Sequence, residues 1–329
     1  GRGLSIAVSA VLLGCFLLLY LFYRFGPKHL GRLVTLAALT LAVFEAGVNF
    51  SESGMSTTSR SAYLKNLTAI RALTTEAAAG DGAFFRTEKY ERMMKDENLL
   101  SSYPAASLFS SLVNFDVTEA YKSVGMEGGG NFYCYNGATP LLSAMLSVKY
   151  LLTDSPLEDS FLRQKTAEQD GMYLYENTYV LPLGFAAPLG VEEQWKREET
   201  EDRVNAVNGL GIALGAEENM LLYQGRAEER EDGASFTAAR DGYFYAVHQG
   251  KGIPSITVTA GDRETTLSKT THNYFLDLGY LEKGETAVLT ASNGKTIPAE
   301  IYRLNPEAVD QAFSHLDGCG FTPDWMTDT

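Results

Sequence analysis

The sequence has few of the residues that build metal and nucleophile sites. Its 329 residues include 3 cysteines and 4 histidines, and no two histidines are spaced to share one face of a helix. It contains no Cys-x-x-Cys, His-Glu-x-x-His, Gly-x-x-x-x-Gly-Lys-Ser/Thr or Gly-x-Ser-x-Gly motif. These absences disfavour a soluble hydrolase, and we expect no metal site and no evident cofactor in this chain.

Basic residues are also scarce. The sequence has 27 Lys and Arg against 41 Asp and Glu, a net charge of −14. Residues 1–50 carry +3, from four basic residues and Glu45, so the rest of the chain carries −17. We therefore expect no nucleic-acid partner, and no binding to an anionic lipid surface through charge.

Two long apolar runs open the sequence. Residues 4–23 are uncharged, and residues 33–50 contain a single charge, Glu45. A helix of about 20 residues spans about 30 Å, the hydrocarbon thickness of a bilayer, so we predict a transmembrane hairpin. The basic loop between the runs, residues 24–32, is expected on the cytoplasmic side, which places residues from about 51 onward outside. Because the first run lacks a leading Met and is too long for a signal-peptide core, we expect a piece of a longer protein.

Downstream of residue 50 the hydrophobic pattern changes twice. Helical spacing alternates with short β-like runs up to about residue 190, and from about residue 221 the period is 2. We therefore predict a membrane α-helical hairpin, an extracytoplasmic α/β (α+β) domain and a β-sandwich domain of jelly-roll type. The predicted boundaries are 1–50 for the hairpin, 51–190 for the mixed domain, 191–220 for a helical linker, 221–305 for the sandwich and 306–329 for a truncated tail.

Local patterns add predictions inside the mixed domain and the linker. Residues 61–79 have helical spacing, and residues 108–114 fit a short helix or turn. Residues 125–130 hold four glycines and predict a mobile loop. Residues 192–208 predict a charged, solvated helix.

Strand patterns are clearest at six places, and two of these, residues 243–248 and 255–260, alternate with a period of 2. Residues 148–153 and 172–176 are β-like runs in the mixed domain. Residues 286–291 and 296–303 flank Asn293-Gly294, and Asn-Gly between two strand-like runs predicts a hairpin that pairs them directly.

Several residues are candidates for function. Glu45 lies about 7.5 Å inside its span, with Asn49 one turn further along the same face. An ionisable group at that depth usually faces a bundle interior or an aqueous cavity, although a Glu that simply reaches interfacial water fits equally well. Arg86, beside two phenylalanines, fits an anion site or a structural ion pair. Cys134 and Cys319 leave a disulfide open.

Two segments resemble a known family. Leu146-Ser147-Val148-Lys149-Tyr150-Leu151-Leu152 is similar to the "gVKYll" segment of YfhO-family bacterial membrane proteins, and Gly137-Ala138-Thr139-Pro140-Leu141-Leu142 precedes it as in that family. Residues 175–182 resemble the family's "yeN…alP" segment. Further similar positions are Glu45 to Asn49, Phe85-Arg86, and Phe109-Ser110-Ser111 with Asn114.

The resemblance implies a large multi-pass protein of glycosyltransferase-C type in the bacterial cell membrane. Such proteins decorate envelope polymers, for example lipoteichoic acid, with sugars from a polyprenyl-phosphate carrier. The implied partners are membrane lipid, that sugar donor, the polymer acceptor and upstream transmembrane helices of the same protein. The catalytic acidic residue is expected upstream of Gly1, so no catalytic residue is assigned here, and a divalent metal in the parent protein stays open.

The resemblance also marks candidate substrate-binding residues in an acceptor-positioning region. They are Glu45, Asn49, Arg86, Ser110, Asn114, Lys149, Tyr150 and Asn177. For Arg86, Lys149 and Asn177 a structural role competes with this interpretation. The rival for the whole chain is a non-enzymatic, membrane-anchored module that binds carbohydrate or acts as a sensor.

Overall fold

The chain forms two compact units, Gly1–Lys65 and Asn66–Thr329. The structure is a computed structural model that describes residues 2–54, 59–80, 82–196, 202–250 and 252–321. The predicted tail, 306–329, therefore lies partly outside the described residues.

The first unit is a pair of long helices, α1 (Arg2–Phe25) and α2 (Gly31–Gly54), followed by the short α3 (Arg60–Tyr63). Both long helices contain a stretch apolar enough to cross a membrane. They pack on each other along one seam. On α2 the less exposed positions recur at spacings of 4 and 3, as Val34, Ala38, Leu41, Glu45 and Val48. The other faces carry exposed apolar side chains. The two predicted apolar helices are confirmed, and their crossing of a membrane stays a prediction.

The second unit begins with a mixed region. Its helices are α4 (Leu67–Gly80), α5 (Glu97–Ser101), α6 (Phe115–Ser123), α7 (Pro140–Met145), α8 (Val191–Gln194) and α9 (Arg203–Ala213). Its strands are β1 (Arg86–Lys89), β2 (Leu108–Phe109), β3 (Glu127–Gly129), β4 (Phe132–Cys134), β5 (Val148–Thr153), β6 (Arg163–Gln169), β7 (Met172–Asn177) and β8 (Gly184–Phe185). They form sheets in the orders β1-β5-β7-β6 and β2-β4-β3, and only β1 and β5 pair in parallel among these. The predicted strands 148–153 and 172–176 are confirmed.

The rest of the second unit is mostly antiparallel. Its strands are β9 (Leu221–Arg226), β10 (Glu228–Arg230), β11 (Gly233–Thr237), β12 (Gly242–His248), β13 (Ser255–Ala260), β14 (Arg263–Ser268), β15 (Leu276–Leu281), β16 (Thr286–Ala291) and β17 (Ala299–Leu304). They form two sheets, β10-β11-β16-β13-β14 and β15-β12-β17-β9. Helix α10 (Pro306–Ser314) and strand β18 (Gly320–Phe321) follow, and β18 pairs with β8.

Side-chain alternation along β12 explains how these layers pack. Phe244 and Ala246 enter a cluster shared by the two antiparallel sheets, while Tyr243 and Tyr245 enter a second cluster shared with the mixed region. The β15-β12-β17-β9 sheet is thus buried on both faces. The two sheets share a core, as the sandwich prediction requires, while the jelly-roll type of connection and the division of this unit into separate domains stay predictions.

Of three local predictions in the mixed region, two are wrong and the third, a short helix or turn at 108–114, is right for the turn. The helix predicted at 61–79 is interrupted at Asn66, whose φ of 63° is left-handed. The glycines of 125–130 do not make a mobile loop, because β3 pairs with β4 there. A Cβ on Gly128 would lie 2.8 Å from Lys122 Cγ, so this glycine permits close packing. Residues 108–114 hold β2 and a turn, and Asn114 caps α6.

The charged helix predicted at 192–208 is also wrong in its bounds. The described part contains the short α8 and then α9, which begins after an Asp202 cap and continues through Gly209 to Ala213. Residues 197–201 of the prediction lie outside the described residues. Gly211 lies inside this helix, where a Cβ would come within 2.9 Å of the Met220 side chain. A glycine at this position therefore permits the close packing of Met220.

The hairpin predicted at Asn293-Gly294 is a crossing between sheets. Strand β16 pairs with β11 and β13, whereas β17 pairs with β12 and β9 in the other sheet. Leu289 and Ile301 are both fully buried in the core that the sheets share. The Asn-Gly pair therefore marks a turn, but burial of both strands decides which strands they pair with.

Candidate functional site

Four of the predicted site residues lie together around the parallel pair β1 and β5. Arg86 donates from Nη1 to the Leu146 carbonyl (2.7 Å), and its guanidinium lies 5.6 Å from the centre of the Phe84 ring. Lys149 Nζ lies 3.4 Å from Glu176 Oε1. Tyr150 is buried and packs edge-on against Phe85, with ring centres 5.0 Å apart.

Asn177, at the end of β7, is the fourth predicted residue near β1 and β5. Its Nδ2 donates to the Val148 carbonyl (2.9 Å) and lies 3.3 Å from Ser143 Oγ. These bonds tie the end of β7 to β5 and α7. They support the structural interpretation of Asn177, and a role in substrate binding stays a prediction.

The other four predicted residues lie elsewhere. Ser110 and Asn114 belong to the loop before α6, where Asn114 Oδ1 accepts the Asp116 N–H (2.8 Å) as a helix cap. Glu45 and Asn49 lie on α2, with Glu45 partly buried on the seam towards α1 and Asn49 exposed. No single site within the described residues therefore joins all eight.

A broad, open groove lies beside α4 in the second unit. We call it the α4 groove; it is lined by one face of α4, by residues 83–85 with Thr87, and by residues 101–104, with about 1230 Å³ of empty space counted out to open solvent. Phe84, Phe85 and Tyr103 supply aromatic surface. The two phenylalanines are the same rings that Arg86 and Tyr150 contact, so two predicted residues support its wall.

Polar groups line the same groove. Arg71 is exposed on α4 and donates from Nη2 to the Leu100 carbonyl (2.8 Å). Thr87 Oγ1 and Ser101 Oγ are buried and have no hydrogen-bond partner within the described part of the chain. Aromatic rings, hydroxyls and one guanidinium suit the apolar faces, hydroxyls and phosphates of a sugar or polyol phosphate.

A buried carboxylate fixes two walls of the groove relative to each other. The N–H of Thr87 donates to the Pro104 carbonyl (2.9 Å), and one residue further Glu88 Oε1 accepts the N–H groups of Ala106 (2.7 Å) and Ser107 (2.8 Å). Arg92 Nη1 donates to Glu88 Oε2 at 2.9 Å. Burial raises the pKa of Glu88, and Arg92 together with these donors opposes that shift. The groove wall is therefore held by charge-assisted bonds.

The same network continues away from the groove. Arg92 Nη2 donates to Asn136 Oδ1 (3.1 Å), Asn136 Nδ2 donates to Glu127 Oε2 (2.8 Å), and His272 Nδ1 lies 2.8 Å from Glu127 Oε1. His272 belongs to the segment between β14 and β15, so this chain of bonds joins the mixed region to the antiparallel sheets. Sequence reasoning missed it, because scattered charges give no periodic signal.

A second polar cluster lies around Arg163. Arg163 Nη2 donates to Tyr243 Oη (2.8 Å), and Tyr243 Oη donates to Asp277 Oδ2 (2.6 Å). Burial raises the pKa of Tyr243 and of Tyr90, which also contacts Asp277. Small hollows adjoin Arg163, but its charge is already paired with Asp277. We interpret this cluster as a structural polar contact that holds the mixed region against the antiparallel sheets.

The part of the chain that the structure describes contains no grouped metal ligands and no disulfide. No group of three or more His, Cys, Asp or Glu residues there could hold a metal ion. Cys134 and Cys319 are not bonded to each other. Burial raises the pKa of the Cys134 thiol to about 11, so it is protonated at neutral pH.

The fold and the sequence together define a membrane-protein chain with two membrane-length helices and one larger folded unit. The family model described as "Bacterial membrane protein YfhO" matches residues 4–207, well over half of the chain. The chain belongs to the YfhO family of bacterial membrane proteins, as its motifs indicate. A search of the curated proteins and a search of the solved structures each found no significant match.

Proposed function

We propose that this chain is part of a membrane glycosyltransferase and that its α4 groove holds the acceptor. The sugar comes from a polyprenyl-phosphate carrier, and the acceptor is a cell-envelope polymer such as lipoteichoic acid. In this proposal the protein is multi-pass, the Asn66–Thr329 unit is extracytoplasmic, and the catalytic residues lie outside this chain. The observation that carries the proposal is the groove, whose aromatic, hydroxyl and cationic lining matches such a polymer.

The chemistry of the donor explains why the groove belongs on a tethered unit. A polyprenyl phosphate cannot leave the bilayer, so transfer takes place at the membrane surface. The acceptor hydroxyl must be presented there to a general base, with its approach held within a fraction of an ångström. The buried bonds from Glu88 to Ala106 and Ser107 give the groove wall that rigidity.

Each lining group has a role in this proposal. Phe84 and Phe85 offer ring faces to the apolar faces of sugars, and Arg71 attracts the phosphates of the polymer backbone. Thr75 and Ser102 supply exposed hydroxyls on the same groove. Arg86 and Tyr150 support the rings from behind, which gives two of the predicted site residues a positioning role.

Filling the groove tests the proposal. Thr75 is exposed on α4 and lines the groove, so Thr75→Trp puts bulk into it without removing a buried contact. Glu76, its exposed neighbour, lies outside the groove lining, and Glu76→Trp is the matched control. In the full-length protein in its own bacterium, we expect Thr75→Trp to lower the sugar content of the envelope polymer about tenfold or more. Glu76→Trp should leave it unchanged.

A binding measurement separates the transferase from its rival. Purified protein is titrated with a soluble fragment of the polymer, and Thr75→Trp is expected to weaken binding as well as sugar transfer. Lost binding with normal polymer glycosylation would favour the non-enzymatic binding module. Normal binding and normal glycosylation in Thr75→Trp, at normal protein levels, would overturn the assignment of the groove.

A further inference from the structure

The loop before α6 displays large apolar side chains to solvent. In residues 109–115, Leu112 is 94% exposed, Phe115 is 65% exposed and Phe109 is 42% exposed. Nearby on α5, Leu99 is 67% exposed. Large apolar side chains that cluster on a soluble surface usually mark a site of interaction.

Hydrogen bonds hold this loop in shape. The Ser110 N–H donates to the Asn131 carbonyl (3.0 Å), and the Val113 N–H donates back to the Ser110 carbonyl (3.2 Å). Ser110 Oγ accepts the Leu112 N–H (3.2 Å). The Phe109 N–H donates to Asp96 Oδ1 (2.7 Å), at the N-cap of α5, which ties the loop to the helix that carries Leu99. The apolar tip is therefore presented by a fixed turn.

We propose that residues 109–115 and Leu99 insert into the surface of the same bilayer that the α1–α2 hairpin crosses. The loop would be a second, monotopic contact with lipid in addition to the hairpin. It is independent of the α4 groove and of the transferase proposal. It also gives Ser110 and Asn114 a role, because they shape the turn that presents Leu112 and Phe115.

The short connection between α2 and the second unit favours lipid as the partner that covers the apolar loop. Helix α2 ends at Gly54 and the second unit begins at Asn66. A chain of 12 residues spans at most about 43 Å when fully extended, so a hairpin that crosses a bilayer keeps the start of the second unit within that distance of the end of α2. Lipid is therefore always within reach of this unit.

The chemistry of the loop agrees with insertion through apolar contact alone. Residues 109–115 contain no charged residue. Exposed Phe and Leu side chains next to uncharged serine and asparagine are typical of elements that lie at the boundary between headgroups and acyl chains. Lys122 just beyond is already paired with Glu119 at 2.7 Å. Lys95, whose Nζ lies 5.6 Å from the centre of the Phe109 ring, is already placed over the ring of Phe132.

Tryptophan quenching tests this contact in the full chain. Leu112→Trp and Leu189→Trp each replace an exposed leucine, 94% and 100% exposed, and neither removes a buried contact. Each variant is reconstituted in phosphatidylcholine vesicles with or without bromine on the acyl chains. The signal of the parent chain, which contains two tryptophans, is subtracted. We expect Leu112→Trp to be quenched at least about twofold more strongly than Leu189→Trp.

The outcomes separate lipid from other occupants. Equal quenching at the two positions would overturn the proposal. A blue-shifted Leu112→Trp emission without bromolipid quenching would also overturn it, because the loop would then be covered by protein. Quenching that appears only after anionic lipid is added would contradict an apolar mode of insertion.

Discussion

Residues 86–181 and residues 221–304 bury different kinds of side chain. The first region buries Glu88, Lys89, Glu97, Glu127 and Arg163, each less than 9% exposed. In the second region, the buried polar side chains among the described residues, tyrosines apart, are His248 and Thr270, and the core of its paired sheets is built mostly from alanine and aliphatic side chains. The candidate groove lies in the region that buries charge.

The difference teaches how each region specifies its shape. Apolar side chains stabilise without direction, so the paired sheets gain stability from area removed from water. A buried ion pair adds little net stability, but losing one partner is costly because the other charge is left unpaired. The mixed region is therefore fixed in geometry by groups such as Glu88 and Arg92, which suits a region that must hold a groove wall.

The largest expected effect comes from breaking this network. Glu88→Ala leaves Arg92 buried beside two N–H groups that have lost their acceptor, and we expect the free energy of unfolding to fall by about 3–5 kcal/mol. Thermal unfolding of the full chain in detergent, followed by circular dichroism, measures it. The control is Glu76→Ala, an exposed carboxylate on α4, for which we expect a change within about 0.5 kcal/mol.

The paired sheets should lose somewhat less from a truncation. Leu289 is fully buried in β16, and Leu289→Ala is expected to lower the free energy of unfolding by about 2–4 kcal/mol. Leu289→Met, which roughly keeps the volume, should cost less than about 1.5 kcal/mol. The same unfolding measurement applies. If Glu88→Ala costs no more than Leu289→Met, the contrast between the two regions is wrong.

The two regions should also respond to pH in opposite directions. Burial, with Asp154 adding to it, raises the pKa of Glu91 from 4.5 to about 7. Its contribution to stability is therefore present below pH 4.5 and lost as the pH rises to about 7. Burial lowers the pKa of His248 in β12 from 6.5 to about 4, so its contribution is present above pH 6.5 and lost as the pH falls to about 4. Each is worth up to about 3 kcal/mol.

Single variants separate the pH dependence of stability that Glu91 produces from the one that His248 produces. The two pH windows overlap between pH 4.5 and 6.5, and there the effects oppose each other, so the parent chain should show a melting temperature that varies little with pH in this range. In Glu91→Gln only the effect of His248 remains, so the melting temperature should fall as the pH is lowered. In His248→Leu only the effect of Glu91 remains, so the melting temperature should fall as the pH is raised. A parallel response of the two variants would contradict the assigned directions.

The same contrast decides what the sequence could predict. Strands β5, β7, β13 and β16 have strong apolar patterns, and their positions were predictable because burial imposes a period. The two spans were predictable because length and apolarity alone define them. The partner of β17 was not, since the Asn293-Gly294 turn is local while pairing depends on a core shared by two sheets.

The candidate site was harder to predict, because its residues carry no period. Phe85 and Arg86 were singled out, and Phe85 does line the groove while Arg86 contacts the Phe84 ring of its wall, but Arg71, Thr87 and Ser101 were missed. The buried role of Glu88 was missed as well, since a lone Glu in a β-like run is normally exposed. Such residues become visible only when the fold brings residues 86–88 next to residues 101–107.

The smallest expected effect comes from a partly exposed ion pair in the mixed region, which tests whether burial of charge is what matters there. Lys149 pairs with Glu176 at 3.4 Å, but the two side chains are 23% and 42% exposed. Water screens such a pair, so Lys149→Ala should lower the free energy of unfolding by less than about 1 kcal/mol, and by less still in high salt. Thermal unfolding at low and high salt measures both values. A cost near that of Glu88→Ala, unchanged by salt, would mean that charge fixes the mixed region whether or not it is buried.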